Sequence, residues 1–341
     1  MRWDIGVDLG TQSVRMAELK AGPVLAAPAA LAFREGNRAP ICAGDIARRL
    51  VGRTCEGVSV VRPLRDGVLE NNLYAARMFQ WLFRHSEGVN PRRRFGAAIT
   101  CAPFARPVQQ EAMMTAAIDA GAAEAALVRS DAAAAVGAGL DLNGPEAKLV
   151  VDVGAGKITA TLFTFGRVAA FGYLPYGMNR VDDRIRRILR ADYGYRVGEA
   201  AAEEIKHTLG SAMPDVAPKD IIMHAVGINL AQRMPVNFDV ETRPVLDACE
   251  NVVAELARLV TTVVDNAPEE LSADLNDAGA VLTGGGAAMT ELDRRVGQAL
   301  GIPCRVADAP ESCAVRGLLR IMERPADYPG AIMGRKTRQV W

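Results

Sequence analysis

Asp8 and Asp152 each close an apolar run and stand two residues ahead of a glycine, and no other feature of this chain holds as much chemistry. Asp4-Ile5-Gly6-Val7-Asp8-Leu9-Gly10-Thr11-Gln12-Ser13-Val14 is echoed by Leu149-Val150-Val151-Asp152-Val153-Gly154-Ala155-Gly156-Lys157-Ile158-Thr159. Each copy continues into a β-prone run, Val14 to Leu19 or Ile158 to Phe163, so each reads as a β-hairpin with a carboxylate at its tip. A turn without Cβ atoms lets backbone N–H groups come close to a phosphate. A carboxylate at the same turn can hold Mg²⁺ through its waters, because that ion dehydrates reluctantly. One Asp-x-Gly alone is an ordinary turn, but two copies facing each other would grip a Mg-nucleotide between two similar domains. A third cluster, Thr283-Gly284-Gly285-Gly286-Ala287, follows the apolar run Ala280 to Leu282 and precedes a helical pattern from Met289 to Leu300. Strand, glycine turn and helix N-terminus in that order favour a phosphate or a flat nucleoside on bare backbone; read alone, the cluster is equally a loop needing positive φ. It matches neither G-x-G-x-x-G nor G-x-x-x-x-G-K-[ST], so the Rossmann and P-loop readings have no support.

The elements that must position these turns alternate between strand and helix, as in an α/β fold. Val108 to Ala122 carries helical periodicity after a strand at Ala97 to Cys101. Val181, Ile185, Ile188 and Leu189 sit at helical spacing among arginines, whose charge reads as a solvated face. Leu246 to Val264 is the longest periodic helix, placed in the core of the second large domain. The 341 residues, half of them apolar, suffice for a large core and two domains. Forty basic and 40 acidic residues leave no net field to steer the chain to nucleic acid. No apolar run reaches the ~18 residues of a spanning helix and the N-terminus moves straight into a strand, so neither a membrane span nor a signal peptide is expected. The six cysteines lack C-x-x-C spacing and read as reduced thiols, and the three histidines form no ligand pattern.

With these residues in view, the chain resembles the actin, Hsp70 and sugar kinase superfamily, and within it the bacterial actins of the MreB type, with the magnetosome filament proteins of the MamK kind as close cousins. Besides the three glycine motifs, the resemblance rests on Arg62-Pro63-Leu64-Arg65-Asp66-Gly67-Val68, Ala134-Ala135-Val136-Gly137-Ala138-Gly139-Leu140, Glu203-Glu204-Ile205-Lys206-His207 with Gly210-Ser211-Ala212, and Asn229-Leu230-Ala231. It covers nearly the whole chain. The resemblance implies an actin-like ATPase fold: two RNase H-like domains, each with a smaller inserted subdomain. Subdomain IA would span residues 1–32, 67–145 and 312–341, IB 33–66, IIA 146–181 and 246–311, and IIB 182–245, with a helix near Ser312 to Met322 crossing back to the first half. By the same resemblance, Asp8 and Asp152 face Mg²⁺ and the attacking water. Gly10, Thr11 and Gln12, with Gly154, Ala155 and Gly156, cradle the phosphates of ATP or ADP. Glu203 and Lys206 touch the nucleoside, their spacing of three putting both on one helix face, and Gly284, Gly285 and Gly286 pack against adenosine. Without the resemblance, Glu203 and Lys206 read equally as a local ion pair on an exposed helix.

The departures bear on hydrolysis. Where MreB proteins carry Glu-Glu-Pro, this chain has Arg129-Ser130-Asp131, so the glutamate that helps position the hydrolytic water is Ser130. Where the family reads Asp-x-Gly-Gly-Gly-Thr-Thr, Lys157 and Ile158 replace two threonines beside the γ-phosphate. An ammonium offers charge but no acceptor for the water's proton, so Lys157 is expected to tighten triphosphate binding while the water stays poorly aligned. Phosphoryl transfer depends on positioning, and slow ATP hydrolysis is therefore expected of an actin-type ATPase built this way. Asp131 either takes over the lost glutamate's role or caps the alanine-rich helix. A further departure is Met178, where the family usually has a second glycine before Asn179.

The resemblance points to a cytoplasmic cytoskeletal filament that serves cell shape or intracellular organisation, its subunits joined head to tail, with paired protofilaments expected. A non-polymerising ATP-dependent clamp or assembly adaptor of the same superfamily is the other reading. Contact with the inner face of the membrane would fall to Arg92, Arg93 and Arg94, or to the basic C-terminal tail ending at Trp341, at about 1 kcal/mol per basic residue. Met1-Arg2-Trp3-Asp4 is too short for an amphipathic helix.

Overall fold

The computed structural model describes residues 3–87, 94–215 and 221–338. Its framework is one sheet design used twice. In the first half the strands run Ile332–Thr337, Glu124–Arg129, Gly96–Cys101, Ile5–Leu9, Ser13–Glu18, Gly22–Pro28 across the sheet. In the second they run Arg167–Leu174, Ile158–Thr164, Lys148–Val153, Ala280–Thr283, Cys304–Val306. Each half places an Asp-bearing strand at the junction between an antiparallel meander and a parallel pair. The inner strands Gly96–Cys101 and Ala280–Thr283 are buried along their whole length, as strands covered on both faces must be, and so read as continuous apolar runs.

Smaller sheets elaborate each half. Pro40–Ala43, Leu31–Arg34 and Val58–Val61 form one, beside the short helix Asp45–Arg49. Tyr195–Arg196, Ile222–Asn229 and Met234–Glu241 form the other, beside helices Asn179–Ala191 and Glu199–Leu209. The helix Thr242–Asp265 has 24 residues, about 36 Å at 1.5 Å per residue, and its apolar stripe from Val245 to Val263 lies in the core of the second half.

Between the halves, helix Ser130–Gly137 packs against helix Cys313–Glu323. The crossing is backbone on backbone. A Cβ at Gly137 would fall 1.8 Å from the Cys313 carbonyl oxygen, and one at Gly317 would fall 1.8 Å from the Ala133 carbonyl oxygen. Leu318, Ile321 and Met322 share a cluster with Trp3, Ala98 and Val128, so the late helix does return to the first half.

One expectation changes at element level. The glycine cluster does not lead into a helix N-terminus: it enters a 3₁₀ turn, Gly285–Ala288, and the α-helix begins at Leu292 after Glu291 adopts a left-handed φ of 61°. Where it is described, the C-terminal segment joins the first sheet. Ile332–Thr337 is an edge strand, with Arg335 over the Trp3 ring and Lys336 held by Glu111 and Thr115. Arg92, Arg93 and Trp341 lie outside the described residues. All six cysteines are free. No helix among the described residues is long and apolar enough to cross a membrane.

Candidate functional site

The two repeated turns are superimposable in their hydrogen bonding. Gly10 N–H donates to the Ser13 carbonyl at 2.9 Å and Gly154 N–H to the Lys157 carbonyl at 2.8 Å. In register, Asp8 lies across from Arg15 and Asp152 across from Thr159. A threonine on the parallel neighbour flanks each aspartate: Thr100 Oγ1 donates to Asp8 Oδ1 at 2.7 Å, and Thr283 is the register partner of Asp152. The turns meet where Thr11 crosses Gly156, at which a Cβ would stand 2.2 Å from Thr11 Oγ1.

They open on a cavity of about 540 Å³, inside the range of roughly 300–1,000 Å³ usual for small-molecule sites. Its walls bring together Asp8, Gly10, Thr11, Gln12, Ser130, Asp152, Gly154, Ala155, Gly156, Lys157, Glu203, Lys206, Gly284, Gly285 and Gly286. Asp131 is the exception. It stands in the first helical turn rather than at the cap, is 1 % exposed, and is gripped by Arg129 through two bonds of 3.1 and 2.6 Å and by Thr161 Oγ1 at 2.8 Å. Its neighbour Ser130 faces the cavity, and the Ser130 hydroxyl is buried with no hydrogen-bond partner among the described groups.

Lys157 reaches back across its own turn to form an ion pair with Asp152. Burial pulls the Lys157 pKa down, but Asp152 with Asp131 and Asp8 outweighs that and leaves it raised, so the ammonium stays charged. The Asp8 carboxyl is also raised, chiefly by burial, against the opposing pull of the Thr100 hydrogen bond and Arg15. No cluster of three or more His, Cys, Asp or Glu that could hold a metal occurs among the described residues. Asp8 and Asp152 still present oxygen donors, one engaged by Thr100 and one by Lys157. A pair of partly engaged carboxylates fits Mg²⁺ held through its water shell, the form in which that ion uses one or two carboxylates.

Glu203 and Lys206 do not pair with each other. Lys206 Nζ bonds Asp182 at 2.8 Å, and burial lifts the Asp182 pKa to about 6. Glu203 instead pairs with Arg48 across the cleft, and Glu199 pairs with Arg62. Gln12 Nε2 donates to Asn179 Oδ1 at 3.1 Å, which ties the first Asp-x-Gly turn to the second half. Gly284 and Gly286 are glycines for packing. A Cβ at Gly284 would lie 2.5 Å from the Val153 carbonyl oxygen, and one at Gly286 would lie 2.5 Å from Met178 Cγ; Gly285 alone of the three is open. Met178, in place of a glycine, thus fills the space over Gly286, while its N–H donates to the Gly154 carbonyl at 3.0 Å.

Sequence reasoning missed Thr100, Arg15, Arg48 and Glu199. The first two become visible only when strand register is known. For Arg48 and Glu199, on separate helices far apart in sequence, the sequence carries no signal.

The chain matches the model of the family described as MreB/Mbl protein over residues 2–328. It is 32% identical over 319 residues to the cell shape-determining protein MreB of Escherichia coli K12, covering 92% of this chain and 91% of that protein. It is 29% identical over 316 residues to the cell shape-determining protein Mbl of Bacillus subtilis, covering 92% and 94%. Among solved structures, it is similar to MreB 5 of Spiroplasma citri bound to AMPPNP, with a TM-score of 0.88 at 24% identity over 94% of this chain and 96% of that one. It is also similar to MamK in its double helical filament, with a TM-score of 0.78 at 20% identity over 94% and 98%.

Proposed function

The chain belongs to the MreB/Mbl family, and from that premise we propose that it is an ATP-binding bacterial actin whose subunits assemble head to tail into cytoplasmic filaments serving cell shape or intracellular organisation. The observation that carries this reading is the pair of matched Asp-x-Gly turns, one from each half, facing each other across a single cavity with the glycine cluster as a third wall. The relatives are named cell shape-determining proteins, and structural neighbours hold AMPPNP or form a filament. A head-to-tail contact between identical subunits propagates as a filament when its rotation does not close a ring.

In this reading the phosphates lie on the turns Gly10 to Gln12 and Gly154 to Gly156, the nucleoside lies near Glu203, Lys206 and Gly285, and Asp8 and Asp152 hold Mg²⁺ through water. When bound, Mg²⁺ supplies charge to neutralise the phosphate oxygens. The four-part division into IA, IB, IIA and IIB at the boundaries given above is part of the same proposal. Hydrolysis is slow: Ser130 offers no carboxylate, Lys157 is tied to Asp152, and Asp131 is turned away into Arg129 and Thr161. Contact with anionic lipid falls to Arg92 to Arg94 rather than to Arg335 and Lys336, which are already engaged. Vesicle flotation is expected to lose a lipid-bound fraction when Arg92, Arg93 and Arg94 are replaced by serine; equal flotation would remove that contact.

Negative-stain electron microscopy of the purified protein with ATP and Mg²⁺ tests the central reading. Filaments support it. Monomers or dimers at every protein and salt concentration would overturn it in favour of a non-polymerising ATP-dependent clamp or assembly adaptor.

A further inference from the structure

A polyphosphate entering the cleft would meet two aspartates, and this chain already supplies a cation to each. Arg15 lies in register across from Asp8 and lines the same cavity, its guanidinium bonded to Ser13 Oγ at 2.9 Å. Lys157 makes an ion pair with Asp152. The lysine is held in place as well as charged. Its Cβ and Cδ press on Gly67, in the opposite half, where a Cβ would stand 2.8 Å from each. Gly67 occupies an Asp-Gly turn with φ of 51° at Asp66 and 76° at Gly67, the left-handed pair of a tight hairpin, and its N–H donates to Thr11 Oγ1 at 3.2 Å. The stem is therefore held between its own turn and the Asp66-Gly67 hairpin of the opposite half, and the Lys157 side chain is only 14% exposed. A cation fixed in this way gives up little rotamer entropy when an anion arrives, and a charge-assisted contact in a site shielded from water is strong.

We propose that Lys157 is a resident cation of the phosphate site, neutralising Asp152 so that a nucleoside polyphosphate is held even when free Mg²⁺ is removed. The inference rests on the nucleotide reading above and adds what this chain's own residue does at the site. When bound, Mg²⁺ would still have the remaining oxygens of Asp8 and Asp152; without it, Lys157 and Arg15 are the cations left to balance the phosphate charge.

The test is titration of the full chain with a fluorescent ATP analogue, in Mg²⁺ and in excess EDTA, for the native protein and for Lys157→Thr, Lys157→Met and Lys157→Arg. Methionine keeps the stem on Gly67 and removes the charge, while arginine keeps the charge, so the set separates packing from electrostatics; thermal melting confirms that each variant is folded. The native Kd is expected to change less than about threefold on chelation, whereas the threonine and methionine variants weaken by about 30-fold or more in EDTA and recover in Mg²⁺. Arginine is expected to behave as the native protein. If the native protein loses affinity in EDTA as steeply as the methionine variant while binding normally in Mg²⁺, the inference falls and the nucleotide reading stands. If the native protein binds in neither condition, the nucleotide reading falls and this inference with it.

Discussion

In the proposed reading, Ser130 and Lys157 stand where hydrolysis would be decided, and their surroundings say how each would act. The Ser130 hydroxyl is buried, lacks a partner among the described groups and borders the cavity, so a longer acidic side chain would project toward the phosphates. Lys157 spends its charge on Asp152 and offers no acceptor for a proton from water. Asp131 is not free to substitute, because turning it toward the cavity would leave the Arg129 guanidinium and the Thr161 hydroxyl without their acceptor. Ser130→Glu combined with Lys157→Thr is therefore expected to raise phosphate release by about 10-fold or more, since aligning the attacking water is worth orders of magnitude. A malachite-green assay at saturating ATP measures it, and a double variant no faster than the native protein would remove these two residues as the cause of the proposed slow turnover.

At the scale of elements, the crossing of helices Ser130–Gly137 and Cys313–Glu323 matters most, because the first carries Ser130 and both lie between the halves. Ordinary helix pairs keep axes 8–10 Å apart through side chains; here reciprocal glycines let carbonyls and Cα atoms touch. Alanine at Gly317 would gain up to about 1 kcal/mol of helix propensity. It would also drive a methyl into the Ala133 carbonyl, and overpacking of that kind costs about 1–3 kcal/mol where the backbone must move. Gly317→Ala is expected to lower stability by about 1 kcal/mol net in urea unfolding; a variant as stable as the native chain would mean the helices separate freely. The same crossing explains why Gly137 belongs to a motif that reads in sequence as no more than a small-residue run.

Across the whole molecule, the cleft is tied at its mouth by Arg48 with Glu203 and Arg62 with Glu199, and deeper by Gln12 with Asn179. Each ion pair is partly exposed, so each is worth about 0–1 kcal/mol, and together they bias closure about fivefold without locking it. Glu199→Gln with Glu203→Gln should enlarge the radius of gyration of the nucleotide-free protein in small-angle X-ray scattering, and about 0.5 M salt should do the same to the native chain, since exposed pairs are screened. Superposable curves in all conditions would show that packing at the helix crossing, rather than charge, holds the halves together.

The sequence by itself determined what depends on neighbours along the chain. The two Asp-x-Gly turns, the strands that feed them and the amphipathic helix with Val181, Ile185 and Leu189 all follow from local patterning, because turn chemistry and periodicity are short-range properties. The MreB resemblance was legible for the same reason, its motifs being short and contiguous. Tertiary structure alone decided the rest: that Asp131 is bound by Thr161, that Glu203 faces Arg48 rather than Lys206, that Gly284 and Gly286 are required by Val153 and Met178, and that Lys157 leans on Gly67. Each of these joins residues far apart in sequence, and a side chain's partner at that range is fixed by how sheets and helices stack, which no local pattern encodes.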